Sequence, residues 1–140
     1  MRTLGILRNI EKRKKAEEAL RESETKFHTL FDLSPQAIAL SEPKTGRLVD
    51  VNIVFCQKTF YTKEEIKGRS TTEIGFYSPE KRDRFINALK TRGEVQGMEM
   101  DFRAKNGALI NTLMFAKEIR VADQAYILTV FYDMTEKKAP

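Results

Sequence analysis

The chain has little of what extracellular and metal-binding proteins are built from. Its 140 residues include one cysteine, one histidine and no tryptophan. A lone Cys56 cannot form a disulfide within the chain, which suits a reducing compartment and predicts a cytoplasmic protein. Cys56 and His28 together are too few ligands for the usual zinc sites, so no metal site is expected.

Long apolar runs are also absent. No stretch approaches the roughly 20 apolar residues that a membrane-spanning helix needs. The N-terminus lacks the apolar segment of about 7–15 residues and the small-residue cleavage site of a signal peptide. We therefore expect no direct membrane contact.

Motifs of catalysis are missing as well. The sequence has no glycine-rich phosphate loop, no paired metal motif, and no nucleophile with a base at a recognisable spacing, so the chain is predicted to be non-catalytic. The net charge is +5. However, the basic run at 12–15 is followed by Glu17 and Glu18, a pattern typical of a solvated helix face. The aromatic residues lie in apolar segments rather than among basic ones, and nucleic-acid binding is not expected.

The N-terminal part has strong helix signals. Residues 11–31 contain no glycine or proline and are rich in Ala, Glu, Lys, Arg and Leu. Ser34 and Pro35 should end the helix. Small or apolar residues recur at alternating spacings of four and three: Ala16, Leu20, Ser23, Phe27 and Leu30. This spacing predicts an amphipathic helix that packs on the domain, on a second copy, or on both.

Short strands and capped helices follow. Residues 37–41 and 47–51, separated by a turn, predict a hairpin. Asn52 is a good cap for a helix over 53–59. A second helix should begin at a capping box, in which Thr62 is the N-cap and Glu65 is the acidic residue three positions later. A third helix should begin at the N-cap Ser78, with Pro79 in its first position, and should end at Gly93.

The C-terminal part is predicted to be sheet. Residues 98–103 alternate with period two, Asn106 and Gly107 form a hairpin signal, and 109–119 and 125–132 are further strands. In the last strand Ile127 and Phe131 face one way, and Leu128 and Val130 face the other. The fold class is thus α+β, with a five-stranded antiparallel sheet and with short helices and one longer helix on one face. The other face needs a cover, and the N-terminal helix or a second protomer could supply it.

Five segments together resemble the PAS (Per-Arnt-Sim) domain family: AEEALRESETKFHTLFDLSP, GRLVDVN, KEEIKGRS, KNGALI and YDMTEKK. The resemblance implies a sensory module of a bacterial or archaeal multidomain signalling protein, such as a sensor histidine kinase. It also implies a PAS domain over 24–138, preceded over 1–23 by the tail of an earlier domain and a linker helix. The stretch NIEKRKKAEEALRESE resembles such a junction. The alternative is that residues 1–14 belong to the domain's own N-terminal helix.

The resemblance also suggests which residues have a function. Asp133 and Thr135 match the family's Asp-x-Thr at the end of the last strand, which implies signal transmission; the alternative is a strand-end cap. Apolar residues between the sheet and the longer helix are candidates for a ligand pocket, unless they form only a packed core: Phe55, Phe85, Leu89, Met98, Met100, Phe102 and Met114.

Known cofactors of the family are disfavoured. No histidine lies near Phe85 to hold haem, and GRSTTEI has no cysteine where the flavin photosensors carry theirs. The sequence is compatible with a small apolar ligand. The family often has glycine where Phe60 stands. We therefore expect a different backbone there, or an aromatic ring that fills the pocket.

Taken together, the sequence predicts a sensory or relay module of a two-component signalling protein, acting as a homodimer beside neighbouring PAS and kinase-type output domains. The alternatives are a ligand-free structural dimerisation module and a binding domain for one specific metabolite.

Overall fold

A computed structural model of the chain describes residues 2–134, with side chains from residue 7 onward. It divides into two compact units, Met1–Leu33 and Ser34–Pro140. None of the helices in the described part combines the length and the apolar character that spanning a bilayer requires.

The first unit is one helix, α1, which runs from Arg2 to Leu33 and so begins earlier than the residue composition predicted. Phe27 and Phe31 stack along it, with ring centroids 5.3 Å apart. The predicted seam lies on the helix surface. Ala16 is exposed, and Leu20, Phe27 and Leu30 are 61%, 38% and 71% exposed.

The second unit contains the sheet. Its elements are β1 (Ala37–Ser41), β2 (Leu48–Val51), α2 (Ile53–Thr59), α3 (Lys63–Ile66), α4 (Pro79–Arg92), β3 (Glu94–Arg103), β4 (Leu109–Val121) and β5 (Gln124–Asp133). The five strands lie in the order β2-β1-β5-β4-β3, and every neighbouring pair is antiparallel. The predicted α+β fold is therefore confirmed. The first and last strands in sequence, β1 and β5, are central neighbours.

The predicted helix caps are confirmed. Thr62 accepts a hydrogen bond from the backbone N–H of Glu65, and the Glu65 carboxylate accepts one from the Thr62 N–H, which closes the capping box. Ser78 caps α4 with Pro79 in its first turn, and Gly93 ends it in the left-handed conformation. These signals succeed because a cap satisfies backbone groups within three residues of itself.

Two strands extend beyond their predicted ends. β3 begins at Glu94 because a bulge at Gly97, with φ of 71°, restores the pairing upstream of Met98. β4 continues to Val121 because Ala122 and Asp123 both adopt positive φ. Two such residues make the tight hairpin turn that matches the twist of the flanking strands.

Asn52 joins three segments in the interior of the second unit. It is fully buried, at 0% exposed. Its side-chain oxygen accepts hydrogen bonds from the N–H groups of Ile38 (2.9 Å) and Phe55 (3.0 Å), and its amide nitrogen donates to the carbonyl of Gln36 at 2.9 Å. One side chain thus caps α2 and also fixes it to the start of β1.

At Phe60 we expected a backbone different from that of the usual glycine, or a ring that fills the pocket, and both expectations were wrong. Its backbone adopts the left-handed conformation, with φ of 65° and ψ of 12°, and its N–H donates to the Cys56 carbonyl at 2.9 Å. The turn is held from both sides, because the N–H of Lys105 donates to the adjacent Thr59 carbonyl at 2.8 Å. The phenyl ring is 60% exposed, so it does not fill the core.

Replacing Phe60 with glycine should therefore stabilise the domain. A side chain in the left-handed region costs about 1–2 kcal/mol, and Phe60→Gly should raise the free energy of unfolding by about 1 kcal/mol, measured by urea denaturation. Phe60→Ala is the matched control, since it removes the ring but keeps Cβ. Equal stability of the two variants would contradict this prediction, because the relieved strain would then be no larger than the extra chain entropy that glycine loses on folding.

Candidate functional site

The predicted pocket residues come together in one core cluster between the sheet and the helices of the second unit. Two lie on α4, one on α2 and the others on β3 and β4. The buried members are Phe55, Phe85, Leu89, Met100, Phe102 and Met114, and Met98 is partly buried against them. Their assignment to a ligand pocket stays a prediction, because the same cluster is the domain's hydrophobic core.

Four phenylalanine rings interlock at the centre of this cluster. Phe76 stacks on Phe102 with centroids 4.2 Å apart, and Phe131 meets Phe102 edge to face at 5.0 Å. Phe55 lies 5.4 Å from Phe76. Such pairs add about 0.5–1.5 kcal/mol each beyond the burial of their area. The rings hold the sheet against α2 and the loop before α4.

Sequence reasoning left two of these rings out of the pocket. The strand pattern predicted that Phe131 shares a face with Ile127, but it did not say which face of the strand meets the core. Identifying the inward face would have placed Phe131 among the pocket residues. Phe76 lies in an irregular segment between α3 and α4, where no periodicity marks a buried residue. It is nevertheless 3% exposed.

Two small cavities flank the four rings. An inner cavity of about 20 Å³ lies towards α4, beside Phe85 and Met114. An outer cavity of about 30 Å³ lies under α2, beside Ala37 and Val54. Both are far smaller than a cavity of about 150 Å³, which binds benzene, so each has room only for small groups.

The inner cavity contains polar groups. Thr71 and Tyr77 line it. The buried hydroxyl of Thr71 acts on the Tyr77 phenol, but it makes no hydrogen bond of good geometry within residues 7–134. Burial raises the pKa of Tyr77 above its ordinary value, against the smaller opposing effects of Thr71 and Arg82. One water molecule in this cavity would satisfy the Thr71 hydroxyl.

The outer cavity opens at an ion pair. Lys58 Nζ on α2 lies 3.2 Å from Asp133 Oδ2 at the end of β5, and the two side chains are 45% and 25% exposed. Both residues line the cavity. The next residue, Met134, donates its N–H to the Asn111 carbonyl at 2.8 Å. Asp133 therefore sits where the last strand leaves the sheet; its predicted partner in signalling, Thr135, lies outside the described residues.

The face of the sheet opposite the core presents aromatic side chains. Phe115 and Tyr132 lie on it, 36% and 39% exposed, with ring centroids 5.3 Å apart. Leu128 and Val130 on β5 are partly buried. This is the apolar outer face that the strand pattern predicted.

The two residues considered for metal or cofactor chemistry belong to different units of the chain. Cys56 is partly buried in α2 and packs against the core, whereas His28 is on α1. Within the part of the chain that the structure describes, no group of three or more His, Cys, Asp or Glu side chains could hold a metal ion.

The four rings should hold the core together. Phe76→Ala removes a ring that lines both cavities and should cost about 3–5 kcal/mol of unfolding free energy. Benzene should recover part of the loss by filling the merged cavity. Calorimetry with and without benzene measures both effects. Phe115→Ala is the control on the outer face, and a loss in Phe76→Ala no larger than in this control would contradict the packing described.

The chain matches a family and several known proteins. The family model, described as PAS domain, matches residues 35–136. A methyl sulfide methyltransferase-associated sensor of Methanosarcina acetivorans is 31% identical over 125 residues. That match covers 88% of this chain and 12% of the relative, so the chain spans only a small part of the relative's length.

Two solved structures have the same fold. The PAS domain of an HTR-like protein from Haloarcula marismortui superposes with a TM-score of 0.71 at 21% identity, covering 86% of this chain and 98% of that one. A PAS domain from a two-component sensor histidine kinase gives 0.67 at 15% identity, covering 81% and 98%. At these identities the likeness shows the fold alone.

Proposed function

Because the chain belongs to the PAS domain family, we propose that it is the sensory or relay module of a longer two-component signalling protein, with a sensor histidine kinase as the parent. The Methanosarcina acetivorans relative is named a sensor, and this supports a sensory role. A neighbouring PAS domain and a kinase-type output domain would then be its partners within the parent chain. The thiol of Cys56 and the lack of a disulfide favour the cytoplasm.

The ion pair at the outer cavity is the observation that carries this proposal. Lys58 connects α2, which packs in the core, to Asp133 at the last residue of β5. A change in core packing would shift α2, and the ion pair would pass that shift to the segment after the strand. A coupling free energy of about 1–3 kcal/mol is enough to bias an output.

The size of the cavities supports a small ligand or a ligand-free relay rather than a large prosthetic group. Pockets for drug-sized molecules and cofactors occupy about 300–1,000 Å³, whereas the two core cavities measure about 30 and 20 Å³. Haem and flavin would need a rearrangement of the four phenylalanine rings. We therefore do not assign either to this domain.

The exposed apolar surfaces support a homodimer. In the second unit, Phe115 and Tyr132 present aromatic rings on the outer sheet face. In the first unit, Leu20 and Leu30 are exposed on α1, three turns apart on one seam. A second copy of the chain would cover each of these surfaces with its equivalent, as a two-fold interface requires.

Dimer formation can be tested by sedimentation equilibrium. The wild-type chain should dimerise, and Phe115→Lys should weaken the dimer at least about tenfold, because it buries a charge in the interface. Ile53→Lys is the control, an exposed apolar residue on α2 whose substitution should leave the dimer unchanged. A wild-type chain that stays monomeric, or an equally stable Phe115→Lys dimer, would rule out this interface.

Signal transmission can be tested in the full-length receptor. Asp133→Asn keeps the shape of the side chain but removes the charge that binds Lys58, so it should alter basal kinase output, signal response, or both. The control is Asp50→Asn, which breaks the second Lys–Asp pair, Lys63 to Asp50 at 3.3 Å. Thermal unfolding shows whether each variant folds. Wild-type output from a folded Asp133→Asn receptor would contradict the relay.

A further inference from the structure

The outer cavity has an apolar interior and a charged mouth. Phe55, Phe76, Phe102 and Phe131 form its inner wall, with Ala37, Val54 and Ile110 around them. Lys58 and Asp133 lie at the opening, both partly exposed. A molecule that fits it must be apolar at one end and must meet a charge at the other.

Hydrogen bonding restricts where a polar group can bind. Two hydroxyls line the cavity, but Thr59 donates its proton to the Phe55 carbonyl at 2.7 Å and Thr112 donates to the Met100 carbonyl at 2.8 Å. Each hydroxyl has one proton, so inside the cavity both present only lone pairs. An anionic group would find no hydroxyl donor in the interior and would be held at the mouth, where Lys58 offers a cation.

The volume restricts the apolar end. The cavity measures about 30 Å³, far less than the roughly 150 Å³ of a cavity that binds benzene. A short alkyl tail therefore fits, whereas a ring or a long acyl chain does not.

From these features we propose that the outer cavity binds a short monocarboxylate of the size of acetate or propionate. Its alkyl tail lies among the phenylalanine rings, and its carboxylate pairs with Lys58. This inference rests on the proposed sensory function and names the class of ligand for it.

The same geometry couples binding to the output. Lys58 holds Asp133 in the free state, and an incoming carboxylate competes for the same ammonium group. Binding thus weakens the ion pair between α2 and the end of β5 and changes the contacts at the point where the last strand ends. The ligand shifts the equilibrium only by its preference for the state with the open ion pair.

Titration of the ¹⁵N-labelled chain by NMR, at constant ionic strength, tests the proposal. Sodium propionate should shift the amide signals of Lys58 and Asp133 saturably. Lys58→Met keeps most of the side-chain stem and should weaken binding about tenfold or more, since it removes a charged hydrogen-bond donor. Asp133→Asn removes the competing carboxylate and should strengthen binding.

Matched controls identify the cause. Lys63→Met removes the same charge from the second Lys–Asp pair and should leave propionate binding unchanged. Hexanoate and propylamine should fail to saturate, the first by size and the second by charge. No saturable shift with propionate, equal binding of propanol, or full affinity in Lys58→Met would each overturn the site.

The outcomes separate this inference from the proposed function. If propionate does not bind but Asp133→Asn still changes receptor output, the relay stands and the carboxylate site is wrong. If propionate binds with the predicted dependence on Lys58 and the receptor ignores Asp133→Asn, the site stands and the transmission route is wrong.

Discussion

The buried side chain of Asn52 is the constraint on which the rest of the site depends. It caps α2 through the Phe55 N–H and ties that helix to the backbone of Gln36 and Ile38. A fully buried amide has to satisfy its polar groups within the protein, because an unpaired one costs about 1–3 kcal/mol. Asn52 therefore fixes where α2 begins, how it is oriented, and where it meets the strand β1 that lies beside β5.

Everything that α2 contributes follows from this attachment. Phe55 is one turn into the helix and enters the group of four rings, and Lys58 lies one turn further, at the mouth of the outer cavity. The left-handed turn at Phe60 then ends the helix. A shift of α2 against β1 would move the aromatic wall and the ion pair together. This helix therefore connects the core to Asp133.

The tight packing of the core shapes what such a domain can detect. Cavities of about 20 and 30 Å³ leave no room for a large cofactor without moving the rings. A closely packed interior resists gradual deformation and responds to a small insertion by switching between discrete arrangements. A short ligand of the kind we propose would bind at the edge of the core, beside the Lys58–Asp133 ion pair. It would perturb the packing little and would still contact the end of the sheet.

The sequence by itself determined the local structure. Caps at Asn52, Thr62 and Ser78, the stop at Gly93, and the period-two strands were all predictable, because each depends on backbone groups within a few residues. Tertiary structure alone decided that β1 and β5 are neighbours, that Phe76 enters the core from an irregular loop, and that Lys58 meets Asp133. It also decided that Phe60 adopts the conformation usually given to glycine. The Phe60 N–H donates to the Cys56 carbonyl and the Lys105 N–H donates to the adjacent Thr59 carbonyl, and these bonds outweigh the local preference of Phe60. Apart from the bond between Phe60 and Cys56, those contacts join residues that are far apart in the chain. No local pattern encodes which distant partner a side chain will meet.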